Sequence, residues 1–439
     1  MHSRLVATRV ERGRSGDPRQ MRAPLRCAVV LAVACVLPPA LAQAQVPFDR
    51  RDEFVKRVPD FRARQKASYG ALEALVGEVE RREQRGEKAV CAHQILNEVE
   101  WLIAYTTDFP RIAARLDAAR EALAAPDPGD APDAADGALG QCATEWFFKL
   151  DFSYDHFAEA GTSGRPAEVA PHFLDRINSP EALSAHLLGL QISDIAATGI
   201  DHRRELNETT ADIMRLILRD WPPGYSWRPE LKATLKDLLL NRMRDPATGY
   251  WGAWYKTGDG LVKTVDLSLT FHIVSYLGGD VGGWPALIDT TLAIKGERYP
   301  NGWQSTVGYD NHHDMDVVEL FRLGWPNASA EQRVAIAREI ALMLDWCLTK
   351  SVQPDGSFKI SPEDESIETS FYFGTSFLVR AGYFDKARRF WTDRDFPEAP
   401  ALRAKLIAQM TARLHEGAGA EGGYYYRNAL KQLSVTAAQ

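Results

Sequence analysis

The sequence predicts an all-α protein, folded as an α/α toroid of helical hairpins. Three observations carry this. β-branched clusters are scarce, helix formers dominate, and no convincing run of alternating strands is found. A turn recurs about every fifty residues: "DPATGYWGAW" with Gly249, "YPNGWQS" with Gly302 and "QPDGSFKI" with Gly356. A strongly apolar helix follows each turn, and amphipathic helices lie between. An amphipathic helix has one wet face and belongs outside, whereas a helix apolar nearly all round must be buried on most sides. Alternating the two kinds gives two concentric rings.

The chain has 439 residues, a formal net charge of −7, 45% hydrophobic and 25% charged residues. This is ordinary globular composition, and nothing in it is basic enough for a nucleic-acid surface. Residues 1–44 are expected to lie outside the fold. From Met21, the expected true start, Arg22 and Arg26 form a basic region, Cys27 to Leu37 an apolar one, and Ala42-Gln43-Ala44 a small-x-small cleavage motif. That order is a secretory signal peptide cleaved after Ala44. A lipoprotein reading at Cys35 is disfavoured by Val36-Leu37 and the prolines after it. No other stretch is apolar for long enough to span a bilayer. The expected location is the periplasm or the medium.

Residues 45–125 read as an N-terminal helical region, in which Ile95, Val99, Leu102 and Ile103 share one face. Residues 126–140, "PDPGDAPDAADGALG", read as an exposed loop or linker. Residues 141–439 are assigned to the toroid. Export permits a disulfide, and Cys91 with Cys142, flanking one helical region, is the favoured pair. Cys347 lies in "ALMLDWCL" and reads as a buried thiol. The apolar helices are placed near Asp266, His312 and Glu368, with a weaker echo of the repeat from Gly419 to Leu433.

"YDNHHDMD", Tyr309 to Asp316, leads into one apolar helix. At 100° per residue His312, Asp316 and Glu319 fall on one stripe. The bland interpretation makes Asn311 an N-cap and Asp314 a first-turn carboxylate suited to the dipole. The functional one makes His312 a neutral general base, since the positive helix end lowers an imidazole's pKa. His312 and His313 point about 100° apart and cannot chelate one ion from regular helix, so no metal and no cofactor are expected.

Other candidates lie elsewhere. Asp266 reads as an N-cap or as a cleft carboxylate, and His272 as a core histidine. Glu368 shares a helix face with Tyr372. "GIDHRRELNETT" holds Arg203, Arg204 and Asn207, read as a capping loop or as an anion-binding loop whose arginines grip carboxylates. Trp251, Trp254 and Trp303 cluster in the repeat turns, as wedges between hairpins or as sugar-stacking platforms.

From about residue 180 to 435 the chain resembles the α/α-toroid proteins, which include polysaccharide lyases, glycoside hydrolases and the terpene-cyclase repeats. Asn311-His312 is similar to the Asn-His pair of toroidal alginate lyases. That resemblance implies catalytic roles for Asn311, His312 and a tyrosine (Tyr372, or Tyr309), with Arg203 or Arg204 holding substrate carboxylates, and an acidic polysaccharide or oligosaccharide as partner. Asp316 and Glu368, with Asp266 and Asp314, are the carboxylates that a hydrolase would use, and Asn207, His313, Trp251, Trp254 and Trp303 are further candidates for substrate contact. The surrounding carboxylates depart from the lyase pattern and suit hydrolysis between paired carboxylates instead. A non-catalytic glycan-binding or envelope-scaffold toroid is the reading of a different class. A terpene cyclase is disfavoured, because Val317 stands where its acid motif needs a further aspartate.

Overall fold

The computed structural model describes residues 48–163, 169–306, 308–361, 366–416 and 420–435. The signal-peptide segment lies outside these residues. The described chain is mostly helical, as its composition predicts.

Four helices open it: α1 (Arg50–Arg57), α2 (Phe61–Gln84), α3 (Val90–Tyr105) and α4 (Phe109–Ala124). Asp49 and Asp108 cap α1 and α4 by accepting from backbone N–H groups two and three residues on. α3 packs against both α2 and α4. It buries Ile95, Val99, Leu102 and Ile103 as the pattern requires, and Trp101 as well. The carboxylate of Glu98 is fully enclosed by Arg111 and Arg115 of α4 at 2.8 and 2.9 Å and by the Thr144 backbone N–H at 2.9 Å.

Residues 126–140 are not a free tether. Asp127, Asp133 and Asp136 each accept from the backbone N–H two residues on, giving three successive local turns. Ala138 and Leu139 are buried. Gln94 of α3 donates to Asp130 at 3.2 Å and accepts from the Cys142 N–H at 3.2 Å. The Cys91–Cys142 disulfide closes this arrangement. The composition that suggested a linker is turn-forming, and the turns are docked. Because the bridge spans 51 residues of sequence, its loss relaxes a large unfolded-state loop. The Cys91→Ser/Cys142→Ser protein is expected to lose about 2–4 kcal/mol of stability in urea unfolding.

The remaining helices are α5 (Trp146–Ser163), α6 (Pro180–Gln191), α7 (Ile195–Thr198), α8 (Arg203–Arg219), α9 (Leu231–Asp237), α10 (Leu267–Tyr276), α11 (Trp284–Ala293), α12 (Asn311–Gly324), α13 (Ala330–Trp346), α14 (Ile367–Arg380), α15 (Ala399–His415) and α16 (Ala420–Val435). α5, α8, α10, α12, α14 and α16 pack in succession, each against the next. α6 and α9 pack on α8 and on each other; α11 and α13 pack on α12 and on each other; α15 packs on α16. The apolar helices α10, α12 and α14 start where the repeat predicts.

The repeat turns are built alike. Each buries aromatic side chains in the core: Tyr250 and Trp251 (each 1% exposed) in the first, Trp303 (0%) in the second and Phe358 (2%) in the third. Gly302 is required by close approach, since a Cβ there would stand 2.3 Å from the Ile294 carbonyl oxygen. Gly356 is required by its backbone, at φ +89°. Three short strands were not foreseen: β1 (Ile192–Ser193), parallel to β2 (Trp254–Thr257), which pairs antiparallel with β3 (Gly260–Lys263). Gly258-Asp259 makes the two-residue turn between β2 and β3, too short a hairpin to leave a period-two pattern.

Candidate functional site

The N-terminal end of α8 meets the C-terminal end of α3, and α10 packs between α8 and α12. At α8, Asp201 caps the helix by accepting from the Arg203 N–H at 2.9 Å, while its own N–H donates to the Tyr105 carbonyl at 2.8 Å. At α10, Asp266 is the N-cap, accepting from Leu269 N–H at 2.9 Å. Arg203 joins the two helices, its Nε donating to Asp266 Oδ2 at 2.6 Å. At α12 the cap is Asp310, which accepts from His312 N–H at 2.9 Å. Asn311, predicted as the cap, is instead the first helical residue.

Two tyrosines organise the polar groups. Tyr105 ends α3, half-buried, with the Arg50 guanidinium 4.1 Å above its ring. Arg50 also pairs with Asp201 at 3.0 Å, and Tyr255 donates to the same carboxylate at 3.1 Å. Burial pushes the Tyr105 phenol up, but the charges of Arg50, Arg203 and Arg204 outweigh it. They hold the phenol below the usual tyrosine value. Tyr299 behaves oppositely. Burial, then the charges of Asp316 and Asp266, push its phenol well up, so it stays protonated. It donates to Asp316 Oδ2 at 3.2 Å. Its ring lies flat on His313, centroids 3.8 Å apart at 5°.

The stripe predicted on α12 exists. His312 and Asp316 both meet Tyr299, and Glu319 adds its charge to the field at Asp316. Burial pushes the Asp316 carboxyl well up and keeps it neutral. Glu319 is bound by Arg322 through two 2.8 Å bonds and by Arg380 at 3.4 Å. The His312 ring stacks on Phe373, centroids 3.9 Å apart, and burial drops its pKa to about 3. His313 donates from Nδ1 to the Trp303 carbonyl at 3.1 Å and is likewise driven by burial to about 4.

Several predicted residues lie elsewhere. Asn311 turns to the opposite side of α12, where its amide donates to Ser351 Oγ at 2.7 Å. The Asn-His pair therefore does not present a joint face, as adjacent helical residues diverge by about 100°. Tyr309 faces Trp346 of α13, and Tyr372 faces Tyr425 of α16. Glu368 lies near Tyr426 and not beside Asp316. Trp251 and Trp303 are enclosed and cannot stack on a sugar; Trp251 donates to the Leu239 carbonyl at 2.6 Å. Trp254 is half-buried on the hairpin under Lys263. His313 is buried and shapes the site only through Tyr299. His272 is the core histidine expected, 3.1 Å from the Tyr276 hydroxyl. Of the predicted binding set, Arg203 and Arg204 add their charges to the field at Tyr105, with Arg204 itself bound to Glu208 at 2.7 Å, and Asn207 donates to Ser268 Oγ at 3.1 Å, beside Tyr299.

Sequence reasoning missed Arg50, Tyr105 and Tyr299. Tyr105 closes an apolar helix face, and Tyr299 opens a structural turn, so neither stands out locally. Only packing brings them together.

A cavity of about 570 Å³ lies apart from this cluster, between α2, α3 and Asp130. No known protein family, curated protein or solved structure matches the chain.

Proposed function

We propose that this protein is an exported α/α-toroid enzyme that cleaves a uronate-containing glycan by β-elimination. The observation that carries the reading is the convergence of Arg50, Arg203 and Arg204 on Tyr105, with protonated Tyr299 nearby across Arg203. The serial packing of α5, α8, α10, α12, α14 and α16, with amphipathic helices behind them, supports the toroidal arrangement. The small-x-small motif at Ala44 supports export.

Elimination needs the uronate carboxylate neutralised, the C5 proton removed and the leaving oxygen protonated. Guanidinium groups neutralise the carboxylate. Arg50 and Arg203 are each oriented by one protein carboxylate, and a guanidinium has five N–H donors, so one such bond does not exhaust it. Tyr105, acidified by these cations, takes the C5 proton as phenolate. The C4–O bond breaks, a C4–C5 double bond forms, and Tyr299 protonates the departing oxygen. Neutral Asp316 restores that proton. His312, with so low a proton affinity, lines the site as a neutral ring and does not act as the base.

Hydrolysis is the second reading, favoured by one observation. Tyr299 feels both Asp266, bound to a guanidinium, and Asp316, held neutral by burial. Two carboxylates in contrasting environments suit acid and base roles. Incubation of the mature chain with a panel of uronate glycans separates the readings. Elimination gives an ultraviolet-absorbing unsaturated product. New reducing ends without that absorbance mean hydrolysis, and no product from any glycan favours the binding or scaffold reading.

A further inference from the structure

On the opposite side of α12 from Tyr299, four buried oxygens lack hydrogen-bond partners: Asp310 Oδ2, Asn311 Oδ1 and both carboxylate oxygens of Asp314. The three residues are 1%, 3% and 0% exposed. Their placement is fixed. Asp310 uses Oδ1 on the His312 N–H, and its carbonyl accepts from the Asp314 N–H at 2.8 Å. Asn311 uses its amide N–H on Ser351 Oγ, which sets its oxygen. Asn311 and Asp314, three apart, share one helix face. Asp310 and Asp314, four apart and joined by the Asp314 N–H on the Asp310 carbonyl, stand one turn from each other on the same side of α12.

Buried acceptors in native proteins are almost always satisfied. The donors available here are too few. The titratable neighbours are Asp310, Tyr309 and Cys347, whose thiol burial and Asp314 keep protonated. Ser351 contributes one hydroxyl. A first-turn carboxylate suits the helix dipole, but the dipole does not account for two aspartates and an amide oxygen buried together within one turn with no donors on these four oxygens.

We infer that Asp310, Asn311 and Asp314 form a binding site for a hard cation, Ca²⁺ by donor type, beneath the first turn of α12. The donors are all oxygens, two carboxylates and one amide, which is the set such ions take, completed by backbone carbonyls or water. It differs from a transition-metal site, and among the described residues no three His, Cys, Asp or Glu side chains gather as one. The two carboxylate charges outweigh the repulsion from the helix end. The bound ion fixes the start of α12, and thereby the placement of His312 and Asp316 on its other face. The site stands on its own whether or not the glycan reading holds.

The test uses the mature chain, stripped with chelator, at neutral pH. Ca²⁺ at about 100-fold above its Kd is expected to raise Tm by about 3 °C. Tb³⁺ should show emission sensitised by Trp346 and be displaced by Ca²⁺. Asp310→Ser keeps the cap hydrogen bond but removes a carboxylate, and should weaken both responses at least tenfold. Asp314→Asn should abolish them while leaving far-UV circular dichroism unchanged. The inference is overturned if the wild type shows neither response, or if both variants respond as the wild type does.

Discussion

Tyr105→Phe is expected to lower kcat on a cleaved uronate glycan by about 10²–10⁴-fold, with KM within a few-fold of wild type. The phenol is the group whose ionisation the site promotes, since Arg50, Arg203 and Arg204 oppose its burial. Removing one oxygen leaves the ring, and so the Arg50 stack, in place. The pH profile makes the test specific. In the wild type the rising limb of kcat/KM reports loss of the Tyr105 proton, displaced below an ordinary tyrosine's. Arg50→Gln, which weakens the acidifying field, should move that limb upward. His312→Ala should lose far less than Tyr105→Phe, through a lost stack on Phe373 and not through lost proton transfer. Full activity in Tyr105→Phe would remove Tyr105 from the mechanism.

Stability measured in chelator is expected to peak at about pH 6.5 and to fall on both sides. His186 and His313 titrate at about 4, His312 at about 3, and His272 well below the usual value, all chiefly through burial. Unfolded, each titrates at about 6.5. Below that pH the unfolded chain binds four protons that the native protein refuses. Asp314 and Asp316 act in the other direction, because burial raises them in the native state while they ionise at about 4 when unfolded. Below about pH 6.5 the four histidines therefore make stability rise with pH, against the opposing pull of Asp314, Asp316 and the buried Glu100, whose carboxyl burial also raises. Above about 6.5 the histidines no longer differ between the two states, whereas the aspartates still hold extra protons in the native state, and stability falls as pH rises toward their native pKa values. Urea midpoints across this range check the shape. A monotonic curve would mean that these buried groups are hydrated in solution, and Asp316→Asn should flatten the alkaline limb.

How much of this was legible follows from the range of each signal. Helix positions were, because α10, α12 and α14 each carry a local apolar pattern and follow a glycine turn that buries an aromatic ring. The stripe on α12 was legible for the same reason, being three residues of one helix. The pairing of Cys91 with Cys142 came from their flanking one region. The partners of Arg203 were not legible: Asp266, a candidate carboxylate by itself, and Tyr105 lie on other helices, and nothing local ties either to Arg203. Trp251 and Trp303 misled because an aromatic beside a glycine turn looks the same whether its ring faces core or solvent. Asn311-His312 misled because a dipeptide match ignores the divergence of neighbours on a helix.

Arg50, Tyr105, Arg203, Asp266, Tyr299 and Asp316 come from five helices and one turn, spread from the first described helix to the twelfth. No contiguous fragment shorter than residues 50–316 holds the whole of the proposed site. A chain cut anywhere between α1 and α8, or halted there while folding, retains local helices but not the field around Tyr105. Activity thus reports completion of the whole assembly, whereas circular dichroism reports only its pieces. For work with split halves or circular permutants, that difference provides a direct assay for long-range closure, independent of helix content.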